Sequence, residues 1–143
     1  MDIPQDIIDN VIAAVGDDRD LLKKCALVSS SFLHPSRKQL FSRITLTNDR
    51  TSQNIHHVFV QNPVIQSFVR TITLAYDDLN TSLEWMNGKS LLAILRLPFC
   101  CLERFSIIMG RAYSGLREKF WDWNNFSSEL KVALSNICRK NQI

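Results

Sequence analysis

The chain has no apolar run long enough to cross a bilayer. Its longest, LLAILRLPFCCL at 91–102, is broken by Arg96 and Pro98, whereas a spanning helix needs ~20 predominantly apolar residues. No membrane helix is expected. Glycine is scarce, four in 143 residues and all dispersed, so the phosphate loops and the nucleophile elbow, which need glycines at fixed short spacing, are missing, as is HExxH. Cysteine is thin as well. Cys25, Cys100, Cys101 and Cys138 include one adjacent pair but no CxxC, so neither a zinc knuckle nor a thioredoxin-like redox pair is written. They are expected to be reduced thiols buried as small hydrophobes. The neighbours His56 and His57 would point ~100° apart on a helix, and with His34 they do not converge on a metal. No catalytic residue, metal or cofactor is expected, and the chain is not expected to be an enzyme.

Charge of one sign is lacking too. The net charge of +3 comes from basic residues scattered among acidic ones, which singles out no partner. The first residues, MDIPQDIIDN, open on acids and show neither a basic region nor a small-residue cleavage site, so no secretory signal is read there. An intracellular location, cytoplasmic or nuclear, is expected.

What is present is a soluble composition, 45% hydrophobic and 22% charged, enough for a real core in about one domain's length. In IPQDIIDNVIAAV (3–15), Ile7, Ile8, Val11, Ile12 and Val15 have the spacing of one helical face. Pro4 stands at its start, Asp6 in its first turn and Gly16 just past its end. Asp17 and Asp18 are candidate caps for a second helix with Leu22, Cys25 and Val28 on one stripe and Lys23 and Lys24 outward. Ser29 to Ser31 then reads as a hydroxyl-rich turn, and His34-Pro35 as the opening of a third short helix ending near Phe41. Three such helices hold more large apolar residues than ~40 residues can bury unaided.

From residue 42 the pattern changes to three short alternating runs, RITL (43–46), TITL (71–74) and RFSI (104–107). Superposed, they align Ile44, Ile72 and Phe105, then Leu46, Leu74 and Ile107, at offsets within the range of solenoid repeats. These six are expected inward, and Arg43, Thr45, Thr71, Thr73, Arg104 and Ser106 outward. Between the strands lie helical segments ending at prolines: SQNIHHVFVQ, with Ile55, Val58 and Phe59 on one face, and SLLAILRL, with Ser90 as its cap. Strand, helix, strand implies a parallel crossover. A last helix has Phe126, Leu130, Ala133, Leu134 and Ile137 at helical spacing, capped by Ser127 or an asparagine. No strand follows it, so the array is expected to be truncated. Asp77-Asp78 reads as a solvated turn. Trp121 and Trp123 read as core under a loop, with an aromatic binding platform as the alternative.

The first forty-odd residues resemble an F-box, the helical motif by which adaptor proteins dock on the Skp-type subunit of cullin ubiquitin ligases. Ile3-Pro4 stands for the family's opening Leu-Pro, Asp6 for its acidic residue, Ile7-Ile8 for its aliphatic pair and Val11-Ile12 for the next turn. Leu22, Cys25 and Val28 fit the second-helix stripe. Val28-Ser29 with Phe32, and Leu40-Phe41, occupy the places of Val-Cys-x-x-Trp and Leu-Trp, phenylalanines standing for both tryptophans. GDDRDLLKKCALVSSSFLHPSRKQLFSRI is similar to fungal-type F-box proteins, in which degenerate leucine-rich-like repeats commonly follow.

The resemblance implies a mixed α and β chain, with a three-helix F-box over 1–42 and partial strand-helix repeats with short parallel strands over 43–143. It implies a Skp-type adaptor held by Ile3, Pro4, Ile7, Ile8, Val11, Val28, Phe32, Leu40 and Phe41. An unknown protein target would lie on Arg43, Thr45, Thr71, Thr73, Arg104 and Ser106. The runner-up is a helix-turn-helix nucleic-acid binder using Arg37, Lys38 and Arg43 on phosphate, against which the nearby Asp17, Asp18 and Asp20 argue. A remnant engaging neither partner is the third expectation.

Overall fold

The computed structural model describes residues 2–76, 83–109 and 123–140. The protein is mixed α and β, mostly helical, and divides into two compact units, Met1–Arg43 and Ile44–Ile143.

In the first unit, α1 (Gln5–Val15) follows Pro4, whose missing N–H forfeits no helical bond at that place. The helix ends at Gly16, which adopts φ +62° and returns its N–H to the Ile12 carbonyl. α2 (Arg19–Val28) is capped by Asp18, whose carboxylate accepts the Leu21 N–H at 3.0 Å. Asp17, the other candidate cap, instead meets the Arg43 guanidinium at 2.6 Å. α3 (Ser30–Leu40) begins earlier than expected. Ser29 is extended (φ −161°, ψ 165°) and is the whole break between α2 and α3, so Ser30 and Ser31 are helical and Pro35 lies inside the helix. The bond Pro35 cannot make would reach the carbonyl of Ser31, an exposed residue.

The three helices pack on one another around Ile8, Ile12, Leu22 and Phe32, with Val15, Cys25 and Leu40 against the margin. Val28 departs from the stripe proposed for it. Six residues beyond Leu22 it has turned ~600°, or 240°, round the axis, and it faces solvent.

The second unit runs β1 (Arg43–Leu46, whose first residue closes the first unit), α4 (Asp49–Gln61), a 3-10 turn (Pro63–Phe68), β2 (Thr71–Tyr76), a 3-10 turn (Leu83–Asn87), α5 (Lys89–Leu95), β3 (Arg104–Met109), a 3-10 turn (Trp123–Asn125) and α6 (Ser128–Lys140). The sheet order is β1-β2-β3. β2 and β3 are parallel with Ile72 opposite Phe105 and Leu74 opposite Ile107, the alignment the 33-residue offset predicts. α4 and α5 lie in the two crossovers, as parallel connections require. α4 opens on a reciprocal cap: Asn48 accepts the Thr51 N–H at 2.9 Å and Thr51 Oγ1 accepts the Asn48 N–H at 3.2 Å.

Ile44, Leu46, Ile72 and Leu74 are buried as expected, whereas Phe105 and Ile107 are half-buried. Phe59 of α4 meets Phe99 edge to face at 5.7 Å, and α5 packs on both α4 and α6. α6 turns Leu130, Ala133, Leu134 and Ile137 inward beside Phe126, and its cap is Ser127, whose hydroxyl accepts the Leu130 N–H at 3.2 Å.

Three expectations are corrected here. The cap of α5 is Gly88, not Ser90. A Cβ at Gly88 would stand 2.9 Å from the Trp85 carbonyl oxygen, so the chain closes there only because the side chain is a hydrogen. None of the four cysteines is buried: Cys100 and Cys101 are exposed, Cys25 and Cys138 half-buried. Trp123 is exposed, with Phe126 edge-on at 5.8 Å and the Lys131 ammonium 5.9 Å from its ring centre. Trp121, Asp77 and Asp78 lie outside the described residues.

Two substitutions separate packing from backbone strain in the first unit. Ile12→Ala should lower stability by about 2–5 kcal/mol, the cost of an incompletely collapsed cavity. Gly16→Ala should cost about 1–3 kcal/mol, because its Cβ meets nothing within 4 Å and only the positive-φ backbone (φ 62°, ψ −128°) is penalised. Urea-unfolding midpoints by far-ultraviolet circular dichroism give both.

Candidate protein-interaction surface

Helix α1 carries two aliphatic rows, each at i, i+4 spacing and one residue apart round the axis. Ile8 and Ile12 form the buried row. Ile7 and Val11 form the other and remain 49% and 40% exposed, with Ile3 exposed just before the helix. The sequence spacing treated both rows as one face, but a stripe that wide exceeds what two partner helices cover.

The outward aliphatic character continues on α2. Val28 is 72% exposed and Leu27 86%, and Leu21, seven residues before Val28 and so nearly in line with it, is exposed too. Leu21 and Leu27 were not singled out in the sequence. The signal was available, since both lie off the Leu22–Cys25 stripe.

The residues named for adaptor binding therefore fall in three groups. Ile3, Pro4, Ile7, Val11 and Val28 are exposed; Leu40 and Phe41 are half-buried; Ile8 and Phe32 are buried in the core. Ile8 and Phe32 form the core of the unit, where a partner could reach them only by opening it.

In the second unit the outward side of the strands carries Thr45, Thr71, Thr73, Arg104 and Ser106, none of them buried. Thr71 stands opposite Arg104 and Thr73 opposite Ser106, whose hydroxyl oxygens are 3.3 Å apart. Further along, Ala75 faces Ile108, so this side passes from polar to apolar toward the strand ends. Where β2 and β3 begin, the Arg70 carbonyl accepts the N–H groups of both Glu103 and Arg104, while the Arg70 guanidinium pairs with the Glu103 carboxylate. Both side chains are largely exposed, so that pair contributes at most about 1 kcal/mol. Arg43 belongs to the first unit and is engaged by Asp17.

A groove of about 390 Å³ opens between the end of α5 and α6, with Leu97, Val132 and Ile137 along it and Arg96, Glu129 and Lys140 at its rim. Its rim charges are of mixed sign. Cys100 and Cys101 place their sulfurs 3.5 Å apart, and hydrogen bonding between the two sulfurs, then their mutual electrostatics, holds the Cys101 thiol pKa above its ordinary value. Among the described residues no group of three or more His, Cys, Asp or Glu is placed to hold a metal, and no helix is long and apolar enough to cross a membrane.

Compared with known proteins, the chain matches no protein-family model, no curated protein and no solved structure.

The exposed row should be dispensable for folding. Ile7→Ser with Val11→Ser should shift stability by less than about 1 kcal/mol, whereas Ile8→Ser should unfold most of the first unit, as followed by circular dichroism and limited proteolysis.

Proposed function

We propose that the protein is a non-catalytic adaptor of the F-box kind. Its first unit docks on a Skp-type subunit of a cullin ubiquitin ligase, and its second unit, read as leucine-rich-like strand-helix repeats, presents its strand face to a protein target. Bridging would raise the effective concentration of the target near the ubiquitin-carrying enzyme. The chain's own residues hold the two partners and perform no chemistry.

The observation that carries this reading is the exposed aliphatic row of Ile7 and Val11 beside the buried row of Ile8 and Ile12, continued by Leu27 and Val28 on α2. Solvent-exposed aliphatic side chains gathered on a small helical unit are of the kind that marks a protein contact. Fully burying one such side chain contributes about 1.5–3 kcal/mol, which is set against the cost of association. The residue-by-residue resemblance of 3–41 to the F-box supplies the kind of partner. The nucleic-acid reading draws less support: of its three cations, Arg43 is already paired with Asp17, leaving Arg37 and Lys38 for phosphate.

Co-expression with a Skp-type adaptor followed by size exclusion tests the proposal. The expected result is a one-to-one complex at micromolar concentration that Ile7→Asp with Val11→Asp abolishes while the circular dichroism spectrum is kept. Arg104→Ala should leave that complex unchanged. A folded wild-type chain that elutes alone, or a double aspartate variant that still binds, rejects the adaptor role.

A further inference from the structure

Among the described residues, the vicinal cysteines are a nucleophilic cluster that the adaptor reading does not use. They sit between α5 and β3, flanked by Phe99 and Leu102, both buried. The Phe99 N–H bonds the Leu97 carbonyl at 3.0 Å, and the N–H groups of Glu103 and Arg104 bond the Arg70 carbonyl at 2.8 and 3.0 Å. The short segment carrying the two cysteines is thus pinned on either side, and both thiols face solvent with 3.5 Å between their sulfurs.

That separation discriminates among the things two thiols can do. Adjacent residues have Cα atoms about 3.8 Å apart, below the ~4.4–6.8 Å usual for a disulfide, whose sulfurs must also close to ~2.05 Å. Direct disulfide formation would strain the pinned loop. A tetrahedral zinc ion with Zn–S near ~2.3 Å would set its sulfurs ~3.8 Å apart and ask for two more donors, and no third ligand is placed beside the pair among the described residues. A two-coordinate cuprous ion puts its thiolates on opposite sides, further apart still. A trivalent pyramidal centre differs on both counts. Its bond angles lie nearer a right angle, which draws two sulfurs closer than a tetrahedral ion does, and its third bond goes to a group it brings with it.

We propose that Cys100 and Cys101 form a two-sulfur binding site for trivalent thiophilic centres of the arsenous acid class. Binding is a condensation: two As–O bonds break, two As–S bonds form, and the two thiol protons leave with the departing oxygens as water. Arsenic stays trivalent and sulfur is not oxidised. Because the second sulfur attacks within the molecule, chelation gains the high effective concentration that a pair of separate thiols lacks, and a loop pinned on both sides spends little ordering itself for it.

Native mass spectrometry of the reduced full chain with phenylarsine oxide, in competition with a monothiol and then a dithiol, tests the site. One phenylarsenic group per chain is expected, resistant to excess glutathione and stripped by dimercaptopropanol. Cys100→Ser and Cys101→Ser should each weaken binding by about 100-fold or more, with circular dichroism unchanged as befits exposed positions. Cys25→Ser and Cys138→Ser should change nothing. Wild-type affinity in either single-serine variant, or an adduct that follows Cys25 or Cys138, overturns the site. Equal affinity in the urea-unfolded chain overturns the part assigned to the loop, and a disulfide at the pair formed rapidly by diamide overturns the geometric premise.

Discussion

A helix has only so much circumference to turn toward a small core. α1 is 11 residues long and presents aliphatic side chains at 7 and 11 as well as at 8 and 12. A unit of about forty residues has room to bury one of those rows. Packing chose Ile8 and Ile12, with Leu22 and Phe32 closing over them, and the rest of the unit follows: Asp18 sets where α2 starts, Ser29 sets where α3 starts, and Ile7, Val11, Leu27 and Val28 are left in water. The second unit meets no such conflict on its first two strands, where alternation of period two sorts inward from outward cleanly.

Periodicity over a full element was the most legible feature of the sequence. The strands begin where RITL, TITL and RFSI begin, the alignment of Ile72 with Phe105 is the register, and the buried side of α6 is the set its spacing names. Where periodicity was stretched over too few residues it misled. Cys25 and Val28 are one turn apart, and adding Leu22 made a stripe that the helix does not keep. Burial of single residues was least legible. Ile8 and Phe32 are indistinguishable by type from Ile7 and Phe41, and only the packing of three helices separates core from surface.

Proline and cysteine failed as local signs for a related reason. Pro35 was read as a helix start because prolines are tolerated there. Here it lies inside α3 with the carbonyl it deprives on the exposed Ser31, and which side of α3 faces out is set by packing rather than by local sequence. Cysteine is often buried, but Cys100 and Cys101 occupy the stretch between two anchors, Phe99 and Leu102, that already fill the available interior. For the strand face, sequence alternation gave the identities, while the closeness of Thr73 to Ser106 depends on register.

The carbonyl of Arg70 takes two N–H groups from consecutive residues at the entry to β3. A slip of one residue would exchange Phe105 and Ile107 for Arg104 and Ser106 on the inner side, and the two hydrogen bonds to a single oxygen help to fix the phase of the strand. A change of length at the exposed Cys100–Cys101 stretch would have to keep Phe99 and Leu102 in the core, while the clamp by itself holds β3 in step.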